Sequence, residues 1–164
     1  MDPLSVLTTQ TEETMSTLTA NEVREKVKVI FETAFPPNAF ATEASLKAVS
    51  EMLSPKAVSW DCPLGGTTGL TNPTPETLFQ WFKDNFDPTA LKYCEWIIGD
   101  IMVSGLTASF KKGFFCDLGK GYVQAETVLI VEIDEDGKLV RWIDHFDVED
   151  LGKQMAAGSK ANEE

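Results

Sequence analysis

The stretch "RWIDHFD", residues 141–147, sets a carboxylate, Asp144, between two aromatics at every-other spacing, Trp142 and Phe146. Side chains of a β-strand alternate between faces, so in a strand these three leave the same face. A carboxylate among aromatic rings has a definite chemical use. Its anion is poorly solvated there, the setting in which an aspartate exchanges protons near neutral pH. The competing reading is an aspartate near a strand end that pairs with a cation or caps a loop. Asp61, in "SWDCPLGG", is the second candidate. Two carboxylates in one pocket would divide into an acid and a base, because each disfavours the charge of the other. Alternatively, Asp61 forms the turn before "CPLGG". Trp60 precedes it and points to the opposite face of an ideal strand, so only one of the two lines the pocket.

The remaining candidates carry less. His145 is the only histidine, and strand alternation sends it away from Asp144, to the side of Arg141, Ile143 and Asp147. Asp147 is placed to cap a short helix, "VEDL". One histidine facing outward supports neither a Ser-His-Asp nor a Cys-His arrangement. No His, Cys, Asp or Glu cluster has the spacing of metal ligands, so neither a metal nor another cofactor is expected. "GFFCDLGKG" is not a phosphate loop: its glycines are one residue too far apart, and a Gly follows the lysine where Ser or Thr would coordinate magnesium.

These residues need elements to hold them. The first half reads as helical. Thr19 and Glu22 form a capping box, after which Val23, Val27, Ile30, Phe31 and Ala34 recur at helical spacing up to Pro36-Pro37. A second helix follows Thr42, with Leu46, Val49, Met52 and Leu53 on one side. A short strand over "AVSWDCPL" leads into the turn-rich "GGTTGLTN". A third helix starts at Thr74-Pro75 and carries Leu78, Phe82 and Phe86. Its aromatics are core residues, with Phe82 placed to form part of a pocket wall.

The second half reads as a meander. "LKYCEWII" and "IMVSGLTASF" join through a tight turn at Gly99-Asp100, and "YVQAETVLIVEI" joins "KLVRWIDHFD" through "DEDG". Helices followed by strands predict an α+β fold, with helices on one face of a curved antiparallel sheet and a pocket in its concave side. One domain is expected over residues 19–151, between a disordered segment 1–18 and a disordered tail 152–164.

Composition narrows the partners. A net charge of −12 argues against nucleic acid and anionic membranes. No apolar run approaches the roughly 20 residues of a membrane span. The N-terminus lacks the basic start and apolar stretch of a secretory signal. Three cysteines, Cys62, Cys94 and Cys116, are too scattered for a disulfide framework and suit a reducing compartment. A cytoplasmic protein is expected.

The order of three helices, short strand and long meander resembles the nuclear transport factor 2-like superfamily, which includes ketosteroid isomerase, limonene epoxide hydrolases and SnoaL-like polyketide cyclases. The resemblance covers about residues 20–150, and its most specific piece is the W-x-D-H-F-D core of "VEIDEDGKLVRWIDHFDVEDL". It implies a cone-shaped fold with Asp144 as an acid/base residue at the pocket base, and with Asp61 where the epoxide hydrolases hold their attacking water. Those enzymes also use an Arg and a second Asp two residues apart on a middle strand. "IMVSGLTASF" has neither, Thr107 and Ser109 stand near those positions, and the "KKGFFCDLGKGY" that follows reads as an insertion relative to the family.

The function implied is a cofactor-independent acid/base enzyme acting on a hydrophobic small molecule, of isomerase, cyclase, dehydratase or hydrolase type. Asp144 and Asp61 would do the chemistry, with Trp142, Phe146, Thr107, Ser109 and Phe82 against the substrate. A non-catalytic module binding a small molecule or a protein through the same fold is the alternative. The resemblance also implies a homodimer formed through the outer sheet face.

Overall fold

The computed structural model describes residues 18–34, 42–63, 70–85, 93–117 and 122–161. The stop at Pro36-Pro37, Phe86, most of "GGTTGLTN" and the disorder expected of residues 1–17 fall outside them. The elements in chain order are α1 (Ala20–Ala34), α2 (Glu43–Glu51), β1 (Ser59–Asp61), α3 (Pro75–Asn85), β2 (Tyr93–Ile98), β3 (Met102–Ser104), β4 (Thr107–Asp117), β5 (Tyr122–Ile133), β6 (Leu139–His145) and α4 (Val148–Ala161). The fold is α+β: helices pack on an open, curled sheet.

Local chemistry sets the helix starts. The Thr19 backbone N–H donates to Glu22 Oε2 at 2.7 Å while the Glu22 N–H donates to Thr19 Oγ1 at 3.3 Å, a complete capping box. Thr42 caps α2 by accepting from the Ser45 N–H, and the Thr77 N–H donates to Thr74 Oγ1 at the head of α3. The apolar stripes then go inward: Val23, Val27, Phe31 and Ala34 on α1, Leu46 and Val49 on α2, and Leu78 and Phe82 on α3 are all buried. Each Val, Leu or Phe among them contributes about 1.5–3 kcal/mol on full burial.

The sheet runs β1-β6-β5-β4-β2, with β3 also paired to β4. It is mixed, because β1 lies parallel to β6 while the other pairs are antiparallel. Two features differ from the sequence reading. "IMVSGLTASF" is not one strand: a turn at Gly105, whose φ is 59°, folds β3 back on β4. And "KKGFFCD" is no insertion, since it continues β4 to Asp117, opposite Tyr122 of β5. The alternation Ala108, Phe110, Lys112, Phe114, Cys116 therefore faces inward as one row.

The C-terminal region also differs. Asp147 accepts from the Asp150 N–H at 3.0 Å, as a cap, but the helix it starts continues to Ala161 instead of ending in a tail at Gly152. Gln154 on α4 accepts from the Gln124 N–H at 2.8 Å and donates to the Gln124 carbonyl at 3.0 Å. Those bonds complete the backbone of β5 where β6 no longer runs beside it, which covers an otherwise open strand edge.

Candidate active site

Asp144 projects from β6 to the inner face of the sheet and is 3% exposed. It is not alone there. Lys112 of β4 forms an ion pair with Asp144 Oδ2, both side chains being 4% exposed. Thr127 of β5 donates its hydroxyl to Oδ1 at 2.8 Å. The register explains the meeting. Lys112 lies opposite Thr127, and Leu129, one inward step along β5, lies opposite Asp144. Lys112 thus reaches across β5, over a flat-sheet distance of about 9–10 Å, which its long stem and the curl of the sheet close. Burial removes water from both charges, and contact between them offsets that cost. A carboxylate has about four lone-pair sites, so with two occupied Asp144 keeps accepting capacity.

Aromatic rings enclose the pair. The Lys112 ammonium lies 4.3 Å from the centre of the Trp96 ring and 6.0 Å from that of Phe146, a cation–π placement for the first. Trp142, on the same face of β6 as Asp144, stacks on Trp60 at 5.1 Å, on Phe31 at 5.7 Å, and meets Trp96 edge-on at 6.3 Å. Phe146 stands just beyond the end of β6, yet its ring stays beside Lys112. Among the described residues the Trp60 Nε1–H is buried and has no hydrogen-bond partner.

The other expected site residues lie elsewhere. Asp61 is on the outer face, where its Oδ2 sits 3.2 Å from His145 Nε2, both side chains well exposed. Parity of β1 is the reason: Trp60 is paired with Trp142 and takes the inner face, leaving Asp61 outside. Thr107 and Ser109 also face outward, because Ala108 and Phe110 are the buried members of that strand. Phe82 is buried on α3, its ring edge-on to Trp81 at 5.4 Å. The structure thus assembles Asp144, Trp142 and Phe146 with Lys112 and Thr127, and leaves Asp61, Thr107 and Ser109 on the other side of the sheet.

Lys112 and Thr127 were not identified from sequence. A signal existed for Lys112, a lysine in a period-two row of Ala, Phe, Phe and Cys. Reading that segment as an insertion hid it.

A cleft of about 400 Å³ lies apart from this cluster, lined by Leu70, Asn72, Thr74, Thr77, Trp81 and Asp84 among others. No group of three or more His, Cys, Asp or Glu among the described residues could hold a metal ion. Nor is any described helix long and apolar enough to cross a membrane.

The sequence matches no protein-family model and no curated protein. Solved structures are similar in fold. An LEH-like epoxide hydrolase of M. tuberculosis is 18% identical, with 87% of this chain and 96% of that one covered, at a TM-score of 0.58. BvnE pinacolase from Penicillium brevicompactum is 16% identical, with 89% and 100% covered, at a TM-score of 0.65. An NTF2-like protein of unknown function from Burkholderia pseudomallei K96243 is 19% identical, with 81% and 96% covered, at a TM-score of 0.61. The fold of this chain is nuclear transport factor 2-like.

Proposed function

We propose that this protein is a cofactor-independent acid/base enzyme for a hydrophobic small molecule, with Asp144 as the proton-transferring group and Lys112 as its partner. The observation that carries the reading is the buried Lys112–Asp144 pair, with Thr127 on the second carboxylate oxygen, inside an aromatic enclosure. Asp144 takes a proton from a carbon beside a carbonyl, or from a hydroxyl. Lys112, holding three donor protons on one cation, stabilises the negative charge that develops on the substrate oxygen. Thr127 fixes the carboxylate, and the rings of Trp96, Trp142 and Phe146 exclude water. The Trp60 indole N–H is a further donor for a polar atom of the ligand. Asp61, Thr107 and Ser109, on the outer face of the sheet, have no part in this chemistry. That two proteins of similar fold are named an epoxide hydrolase and a pinacolase agrees with small-molecule chemistry in such a scaffold.

Proton exchange tests this reading across many compounds at once. A panel of hydrophobic ketones and polyketide-like enols is incubated with the protein in deuterium oxide, and deuterium uptake is followed by NMR. General base catalysis contributes about 10²–10⁴-fold, so Asp144→Asn should reduce uptake by that factor with the far-ultraviolet spectrum unchanged. Uptake equal to wild type in that variant removes Asp144 from the mechanism.

A second reading has its own support. Asp144 and Lys112 satisfy each other within packed rings, and the cleft described lies elsewhere. On that reading the pair is structural and the protein is a non-catalytic binding module. Saturable binding of panel compounds without any deuterium uptake would favour it. We also propose a homodimer through the outer sheet face, where Ile97 and Val128 are exposed; a monomer in sedimentation at micromolar concentration would exclude it.

A further inference from the structure

Two thiols face each other at the far end of the sheet. Cys94 on β2 is directly opposite Cys116 on β4. Both point inward, each is 1% exposed, and they are hydrogen-bonded to each other. Directly opposed residues of antiparallel strands have Cα atoms about 4.5 or 5.5 Å apart, depending on the rung. Both separations fall within the roughly 4.4–6.8 Å between Cα atoms that a disulfide spans. Cys62, the third cysteine, is not part of this rung.

We infer that Cys94 and Cys116 are a built-in site of reversible two-electron oxidation, closing to an intramolecular disulfide by exchange with a small-molecule disulfide such as oxidised glutathione. One of the two thiolates attacks one sulfur of the small disulfide and expels one thiolate. The other then attacks the mixed disulfide and expels the second. The two protein thiols lose two electrons and two protons, and the small disulfide is reduced to two thiols. Either thiol can start the exchange, because each lies directly across the rung from the other.

Burial sets the rate without preventing the reaction. Among the described residues β2 is the last strand on its side of the sheet. Among the described residues Tyr93–Asp117 is the outermost rung of the pair, and the cysteines sit one rung inside it. Strand ends open locally at far lower cost than global unfolding, and opening of two rungs exposes both sulfurs. The site also adjoins the aromatic enclosure: Trp96, two residues from Cys94 on the same face of β2, has the Lys112 ammonium 4.3 Å from its ring centre.

The experiment treats the full-length protein with oxidised glutathione and reads thiols after denaturation, intact mass and Trp fluorescence. Two of the three thiols should disappear, the mass should fall by two hydrogens, and digestion should yield one cross-linked pair containing Cys94 and Cys116. Fluorescence should drop through quenching at Trp96, and reduced dithiol should restore it. Cys62→Ser should lose the same two thiols, and Cys94→Ser should lose neither mass nor fluorescence in this way. Three thiols surviving prolonged treatment, a stable glutathione adduct on either residue, or a disulfide that includes Cys62 would each overturn the assignment.

Discussion

Lys112 and Asp144 stand on strands separated by a third and form an ion pair whose side chains are both 4% exposed. Removing one member strands the other charge in a dry interior. Lys112→Met alone should therefore cost about 3–5 kcal/mol of stability in urea denaturation, and Asp144→Leu alone a similar amount. The double variant should recover most of that loss, since two apolar groups satisfy each other. Additive losses would mean that the charges are not compensating one another.

Thr127 tests the other carboxylate oxygen. Its hydroxyl donates to a charged acceptor at 2.8 Å, so Thr127→Val should cost about 1.5–3 kcal/mol, while Thr127→Ser should cost less. If proton transfer depends on how the carboxylate is held, the Val variant should also slow deuterium uptake with substrate affinity unchanged.

The outer pair should behave differently. Asp61 and His145 lie 3.2 Å apart with side chains 65% and 61% exposed. An exposed pair contributes about 0–1 kcal/mol. Asp61→Asn and His145→Ala should leave turnover and ligand binding at wild-type levels in the same assay. A hundredfold loss in Asp61→Asn would return that residue to the site.

The capping box makes a pH prediction. Hydrogen bonds from the Thr19 hydroxyl, and then from its backbone N–H, hold the Glu22 carboxyl below the usual carboxylate range. A group whose folded pKa is lowered adds stability above its unfolded value and loses it as pH falls through the folded one. The stability difference between wild type and Glu22→Gln should be constant at neutral pH. It should shrink below the ordinary glutamate range, as followed by denaturation at a series of acidic pH values.

The turn between β3 and β4 can be examined at one atom. Gly105 has φ 59° and nothing within 4 Å of where a Cβ would sit, so Gly105→Ala isolates the left-handed backbone term, about 1–2 kcal/mol. At Gly137, φ is 83° and a Cβ would meet Lys26 Cδ at 3.2 Å, so Gly137→Ala should cost at least as much. Thermal unfolding of the two variants side by side checks the ranking.

Much of the frame was legible in the residues. The Thr19–Glu22 box, the Thr42 cap, the inward stripes of α1 and α2 and the span of "YVQAETVLIVEI" follow from short-range patterns. The chain obeys them because capping, periodicity and strand alternation act within a few residues. The same alternation put Asp144 and Trp142 on one face and His145 on the other. It failed for Thr107 and Ser109 because the Gly105 turn was not recognised, and without it no pattern states which parity of β4 faces the helices. For Asp61 the alternation left two choices, and the partner strand decided between them.

Composition and local pattern, then, were enough to specify an α+β chain whose closing strand turns an aspartate toward aromatic rings. Which groups meet that aspartate was settled only by long-range register. Lys112 is 32 residues away from it and Thr127 is 17, and they converge because β4, β5 and β6 pair at one offset and no other. Cys94 and Cys116 are brought together in the same way, by the pairing of β2 with the far half of β4. Strand partnership is a property of the whole buried face, because a slip by one residue would turn every inner side chain outward. No single stretch of the chain contains that information.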